Sequence, residues 1–108
     1  MTRAEIVSGI CGFTTVVEAS MEGPECTLSI KSECEAVQRM ADELTHVNPF
    51  QEITFRDAGP LTLRVAAKHC SHAACPVAVG IIKAIEVEAG LALPADVSIT
   101  LTKAGTSP

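Results

Sequence analysis

Residues 13–32 read FTTVVEASMEGPECTLSIKS. Phe13, Thr15, Val17, Ala19 and Met21 fall on one side of an extended chain, and Cys26, Leu28 and Ile30 alternate with Thr27, Ser29 and Lys31. Strand side chains point alternately to the two faces of a sheet, so each run has one face to bury and one to leave wet. Glu22-Gly23-Pro24-Glu25 between them is a turn signal, and the whole stretch predicts a β-hairpin with one wet face. Such a hairpin must set its apolar face against a second layer.

The residues that follow supply that layer. Ser32-Glu33-Cys34-Glu35 has the form of a capping box, with Glu35 placed to reach back to Ser32. Val37, Met40, Ala41 and Leu44 recur at helical spacing, and Asn48-Pro49 is read as the stop. Ile53–Arg56 is expected to be a short strand, and Asp57-Ala58-Gly59-Pro60 a turn. Leu61–His69 suits a strand by its Thr and Val, but the stripe Leu61, Val65, Ala66 behind Pro60 favours a short helix. Pro76–Ala89 is the firmest helix: Pro76 suits the first position, Val77, Ile81, Ile82 and Ile85 line one face, and Gly90 fits a C-terminal cap. Lys83 and Glu86 sit three apart on the wetter side. Val97, Ile99 and Leu101, alternating with Ser98, Thr100 and Thr102, predict a final half-buried strand. The expected fold is α+β: a two-layer sandwich, mainly antiparallel, with helices on one face of the sheet. Residues 1–103 form one domain and 104–108 a loose C-terminal tail.

Composition narrows the function. Hydrophobic residues make up 47% of the 108, ample for one core, while the aromatics are three Phe, with no Trp or Tyr. A single-strand nucleic-acid platform needs aromatic faces and a basic groove. Here the net charge is −5, the isoelectric point is about 5.0, and the eight Lys and Arg are scattered. Nucleic acid is therefore not an expected partner. No segment approaches the roughly 18 apolar residues that span a membrane. MTRAEIVSGICGF is broken by Glu5 and Ser8 and does not read as a signal peptide. The expected location is the cytoplasm, and the apolar richness of so short a chain points to a homodimer. Acidic residues are scattered on wet faces, and neither a Ser-His-Asp order nor a glycine-rich phosphate loop is legible, so an enzyme is not the favoured class.

Five cysteines are an odd number, and in a reducing compartment they are thiols or metal ligands. Cys26 falls on the apolar face of its strand and reads as a small buried hydrophobe. Cys34 is in register with Val37, Ala41 and Leu44, which packing explains, yet it also stands at a helix start, where a thiolate is favoured. Both readings stay open. Cys11 lies between Gly9 and Gly12, which permit a tight or left-handed turn that lets amide N–H groups approach a sulfur.

Cys75 stands at or near the cap of the helix that Pro76 opens. Helix N–H groups stabilise an anion there, and cysteine is a poor cap beside Ser, Thr, Asn or Asp. His72-Ala73-Ala74-Cys75 is an H-x-x-C spacing, and Cys70 lies four intervening residues before Cys75, at the limit of common zinc spacing. His69 reads as a solvated loop residue. No paired C-x-x-C exists, so a standard zinc ribbon or finger is excluded. Any metal must gather ligands from separate segments: Cys11, Cys34 and Cys75, with His72 as fourth or, second in preference, Cys70. Such a set suits Zn²⁺ or an iron–sulfur cluster.

SGICGF, the SEC segment and HAACPVAVGIIKAIEVEAGLALPADVSI together resemble a small family of uncharacterised prokaryotic proteins, over Gly9–Ile99. The pattern of that family implies Cys11, Cys34, His72 and Cys75 as its shared positions and brings no activity with it. Cys75-Pro76-Val77-Ala78 is also similar to the Cys-Pro-x-Pro motif of small sulfur carriers, with Ala78 in place of the second proline and the motif late in the chain. Three functions follow as expectations: metal binding through cysteines of three segments, sulfur carriage or redox chemistry at Cys75, or a non-catalytic interaction domain whose cysteines are packing.

Overall fold

The computed structural model describes residues 1–105. Its elements run β1 (Thr2–Val7), β2 (Thr14–Glu22), β3 (Glu25–Ser32), α1 (Glu35–Glu43), β4 (His46–Val47), α2 (Pro49–Glu52), α3 (Leu61–His69) and α4 (Val77–Glu88). The strands form one antiparallel sheet in the order β1-β2-β3-β4, and the helices pack against it, an α+β two-layer arrangement.

The hairpin lies where its alternation puts it. Glu22 pairs with Glu25 across Gly23-Pro24, and Gly23 takes the left-handed backbone conformation, with φ +62°, that the tight reversal needs. Thr15, Val17 and Ala19 of β2 and Cys26 of β3 are buried against the helices. Val37, Met40 and Leu44 come down from α1, Val65 from α3, and Val77, Ile81, Ala84 and Ile85 from α4 to meet them. Leu61–His69 is helical, as its stripe and the preceding proline favour.

Three local expectations give way. The Ser32–Glu35 capping box does not form: the N-cap of α1 is Cys34, and the Ser32 hydroxyl accepts from the Cys34 N–H (3.1 Å) and from the Thr15 hydroxyl (2.9 Å) instead. Asn48-Pro49 does not stop α1, which ends at Glu43 with Leu44 as its C-cap, ahead of β4; the dipeptide starts α2 instead. Asn48 Oδ1 accepts from Phe50 N (3.1 Å) and caps α2, with Pro49 at its first position. Ile53–Arg56 is irregular rather than a strand. Residues 49–52 turn into α2 before it, and the segment joins no strand of the sheet.

The largest difference is at the two ends of the chain. Thr2–Val7 forms β1 and pairs with β2 from Thr2↔Ala19 to Val7↔Thr14, occupying the side of the hairpin that a closing strand would need. Val97–Leu101 is not a half-buried strand: residues 93–103 are without regular structure, and Val97, Ile99 and Leu101 are 58%, 75% and 88% exposed. Of the expected tail 104–108, Ala104 and Gly105 make an exposed turn, and 106–108 lie outside the described residues.

Two polar devices hold helices to this frame. Pro60 offers α3 no side-chain cap, and the buried carboxylate of Glu52 serves instead, accepting from Leu61 N (2.7 Å), Thr62 N (2.9 Å) and Thr62 Oγ1 (2.5 Å). At the other end of the layer, Glu88 of α4 accepts from the Thr2 hydroxyl (2.8 Å) and the Met21 N–H (3.1 Å), tying the helix to β1 and β2. Both bonds hold its carboxyl below the usual range. Gly90, with φ +74°, then closes α4 by a Schellman motif: Gly90 N bonds Val87 O (3.1 Å) and Leu91 N bonds Glu86 O (2.8 Å).

Candidate thiol groove

At one end of the sheet three connections meet: the β1–β2 turn, the β3–α1 junction and the α3–α4 loop. They enclose an open groove of about 720 Å³, walled largely by apolar side chains such as Ile10, Phe13 and Val37. Cys11, Cys34, Cys70, His72 and Cys75 all line it.

Each thiol arrives by its own local cause. Gly9 and Gly12 both take left-handed φ values, +90° and +76°, and Gly12 N bonds Gly9 O (2.9 Å) while Ser8 N bonds Phe13 O (3.1 Å). The tight turn so closed carries Cys11 exposed. Cys34 stands at the N-cap of α1, half-buried, and its side chain makes no cap bond. Cys70 is the C-cap of α3, its N–H donating to Ala66 O (2.8 Å). Cys75 lies one residue before the N-cap of α4, Pro76, with its N–H on His72 O (3.3 Å). It is thus just outside the helix rather than its cap. His72 is exposed.

Cys70 is the candidate that the sequence ranks behind His72 for the fourth position. It packs against the core, and its Sγ lies 3.4 Å from Met40 Sδ. Burial pushes its thiol up, and the negative charges that Cys75 and Cys34 would carry push it further, with Arg39 opposing. Cys34, Cys70 and Cys75 all line the groove and pack against the core. Its five-residue separation from Cys75 was the only sequence signal, and its capping position was invisible there. His69, by contrast, points away to Glu43, whose carboxyl the His69 ring and then Lys68 hold below the usual range.

Cys26 is fully buried in the middle of the sheet, opposite Met21 and Val47, and takes no part in the groove. Burial first, and the charge of Glu88 second, push its thiol up. Among the described residues, no three His, Cys, Asp or Glu side chains are drawn closely enough together to grip an ion in this conformation. The groove brings the candidate ligands to one place and leaves them unclosed. No helix of the described residues is long and apolar enough to cross a membrane.

A family model covers residues 2–101, and its description reads family of unknown function (DUF6951). No curated protein and no solved structure matches the chain.

Proposed function

Since the chain belongs to a family of unknown function, kinship supplies no activity, and we propose from the groove itself that the protein binds a metal, as Zn²⁺ or an iron–sulfur cluster. One observation carries the reading: four thiols and an imidazole from three separate connections line a single groove. Cys11, Cys34 and Cys75 are the core ligands. Cys70 is preferred to His72 as the fourth, because it is half-buried beside Cys34 and Cys75 while His72 is exposed.

The chemistry of the donors fits. Burial first, and the charges of Cys75 and Cys34 after it, oppose ionisation of the Cys70 thiol. A cation or cationic cluster reverses that opposition and deprotonates its ligands. Four cysteines suit tetrahedral zinc or a cluster equally, and the apolar walls restrict water around either. Binding would require the Cys11 turn and the Cys70–Cys75 loop to close on Cys34.

Elemental analysis of protein purified without oxygen from cells grown with both metals tests the proposal. Near-stoichiometric zinc, or iron with acid-labile sulfide, is expected, with loss on Cys34→Ala. Trace metal unchanged by Cys11→Ala or Cys34→Ala overturns it.

A second reading rests on Cys75 alone, half-buried just ahead of α4: a sulfur-carrying or redox thiol in a metal-free protein. It requires alkylation of Cys75 at pH values well below the roughly 8.5 of a free thiol. A cytoplasmic location is part of both readings.

A further inference from the structure

Residues 97–102, VSITLT, carry the strongest strand pattern outside the hairpin, and nothing of their own body covers them. Val97, Ile99 and Leu101 share one side of the extended chain at 58%, 75% and 88% exposure. β-branched residues at period two are what a half-buried strand requires. The edge such a strand needs is present. β1 pairs with β2 on one side only and leaves a row of backbone N–H and C=O groups open on the other. It is six residues long, the length of 97–102, and its Thr2, Ala4 and Ile6 face the helices while Arg3 and Glu5 face out. The opposite edge, β4, has only two residues.

Residues 97–102 do not join that edge within their own chain, where 93–103 are without regular structure. α4 runs back along β1, with Gly80 beside Ile6 and Glu88 beside Thr2. α4 ends at the Gly90 cap, and Pro94 then biases Leu93 to an extended backbone. The radius of gyration is 14.3 Å, against about 13 Å for a compact chain of this length, and the molecule measures 52 Å along one axis against 28 and 27 Å. We infer that the open edge of β1 is covered by residues 97–102 of a second copy of this chain, exchanged reciprocally in a closed two-fold dimer. Each sheet then has five strands, with Val97, Ile99 and Leu101 on the helix side beside Ile6 and Ala4. Reciprocal exchange also removes an exposed apolar strand and an open edge at once, two features that otherwise invite aggregation.

The test is the mass of the full chain in solution by light scattering across the micromolar range, beside Ile99→Pro. Proline removes a ladder N–H from a segment that packs on nothing in its own body, so the variant keeps its fold and its circular dichroism. A wild-type dimer and a monomeric Ile99→Pro are expected. A synthetic peptide of residues 94–105 should also convert the wild-type dimer to monomer with peptide bound. A monomeric wild type overturns the inference, including one whose amides at 97–102 resist hydrogen exchange, because the strand then closes on its own sheet. A dimer that survives Ile99→Pro overturns it equally, since its interface lies elsewhere. Metal content has no part in either readout.

Discussion

Gly80 is where α4 lies closest against Ile6 of β1, and replacing it measures that contact. A Cβ built there would overlap Cδ1 and Cγ1 of Ile6, with the Ile6 Cβ at 3.6 Å. The overlap reaches the inner carbon of the side chain, and Ile6 is itself buried, so rotating its tip is not enough. Forcing a methyl into a packed interior costs about 1–3 kcal/mol. Alanine in place of glycine in a helix returns up to about 1 kcal/mol. Because the inner carbon is involved, the cost falls in the upper part of its range, and Gly80→Ala should destabilise by about 1–2 kcal/mol. At about 4–8 °C per kcal/mol, that is a fall in Tm of roughly 5–15 °C, read by thermal circular dichroism. Ile6→Ala alone should cost about 2–5 kcal/mol by leaving a cavity. In the double variant the new methyl enters that space, and the pair should be less damaging than the sum by about 1–2 kcal/mol. A Gly80→Ala protein that gains stability, with no coupling to position 6, would refute the close packing of α4 on β1.

Glu52→Ala strips the start of α3 of its only side-chain acceptor and leaves two N–H groups and a hydroxyl unpaired in the core. It should cost about 3 kcal/mol or more by urea denaturation, where a surface Glu→Ala costs almost nothing. Glu88 sets a pH dependence. Its carboxyl is held down by Thr2 and Met21, so the unfolded chain binds this proton more tightly and stability rises with pH across the titration. The contribution is whole above the unfolded value, about pH 4.3, and drains away as pH falls through the lower folded one. Glu88→Gln should therefore flatten the acid limb of a plot of Tm against pH. In the thiol groove, Cys70→Ala should lower retained metal more than His72→Ala does, as measured by elemental analysis. The opposite order would return the fourth ligand to His72.

The hairpin, α1, α3 and α4 were legible because each presents its period over enough residues to outweigh local accidents. β1 was not. Thr2, Ala4 and Ile6 do alternate with Arg3 and Glu5, but two of the three inward residues are barely apolar, and the pattern shows only when the partner strand is known. Val97–Leu101 fails in the reverse way: its alternation is strong, yet alternation names a face and never the chain that covers it. Asn48-Pro49 shows a further limit, since a dipeptide that reads as a helix stop is the start of α2, and α1 ends earlier, at Leu44. In the groove, Cys11, Cys34 and Cys75 each had a local setting to mark them, a glycine turn or a helix start. Cys70 had only its spacing, because a C-capping position beside Met40 is made by the packing of α3 on α1.

Cys26 provides the molecule with an internal clock. It is sealed between Met21 and Val47 with its ionisation suppressed, while four other cysteines stand at or near the surface. An alkylating reagent applied to the native, metal-free protein should therefore consume the exposed Cys11 first, the half-buried Cys34, Cys70 and Cys75 more slowly, and Cys26 only when the sheet itself comes apart. A domain of ordinary stability, about 5 kcal/mol or more, opens globally in fewer than about one molecule in a thousand at any instant. The slowest phase of thiol loss then reports the frequency of that opening under fully native conditions, with no probe added to the chain.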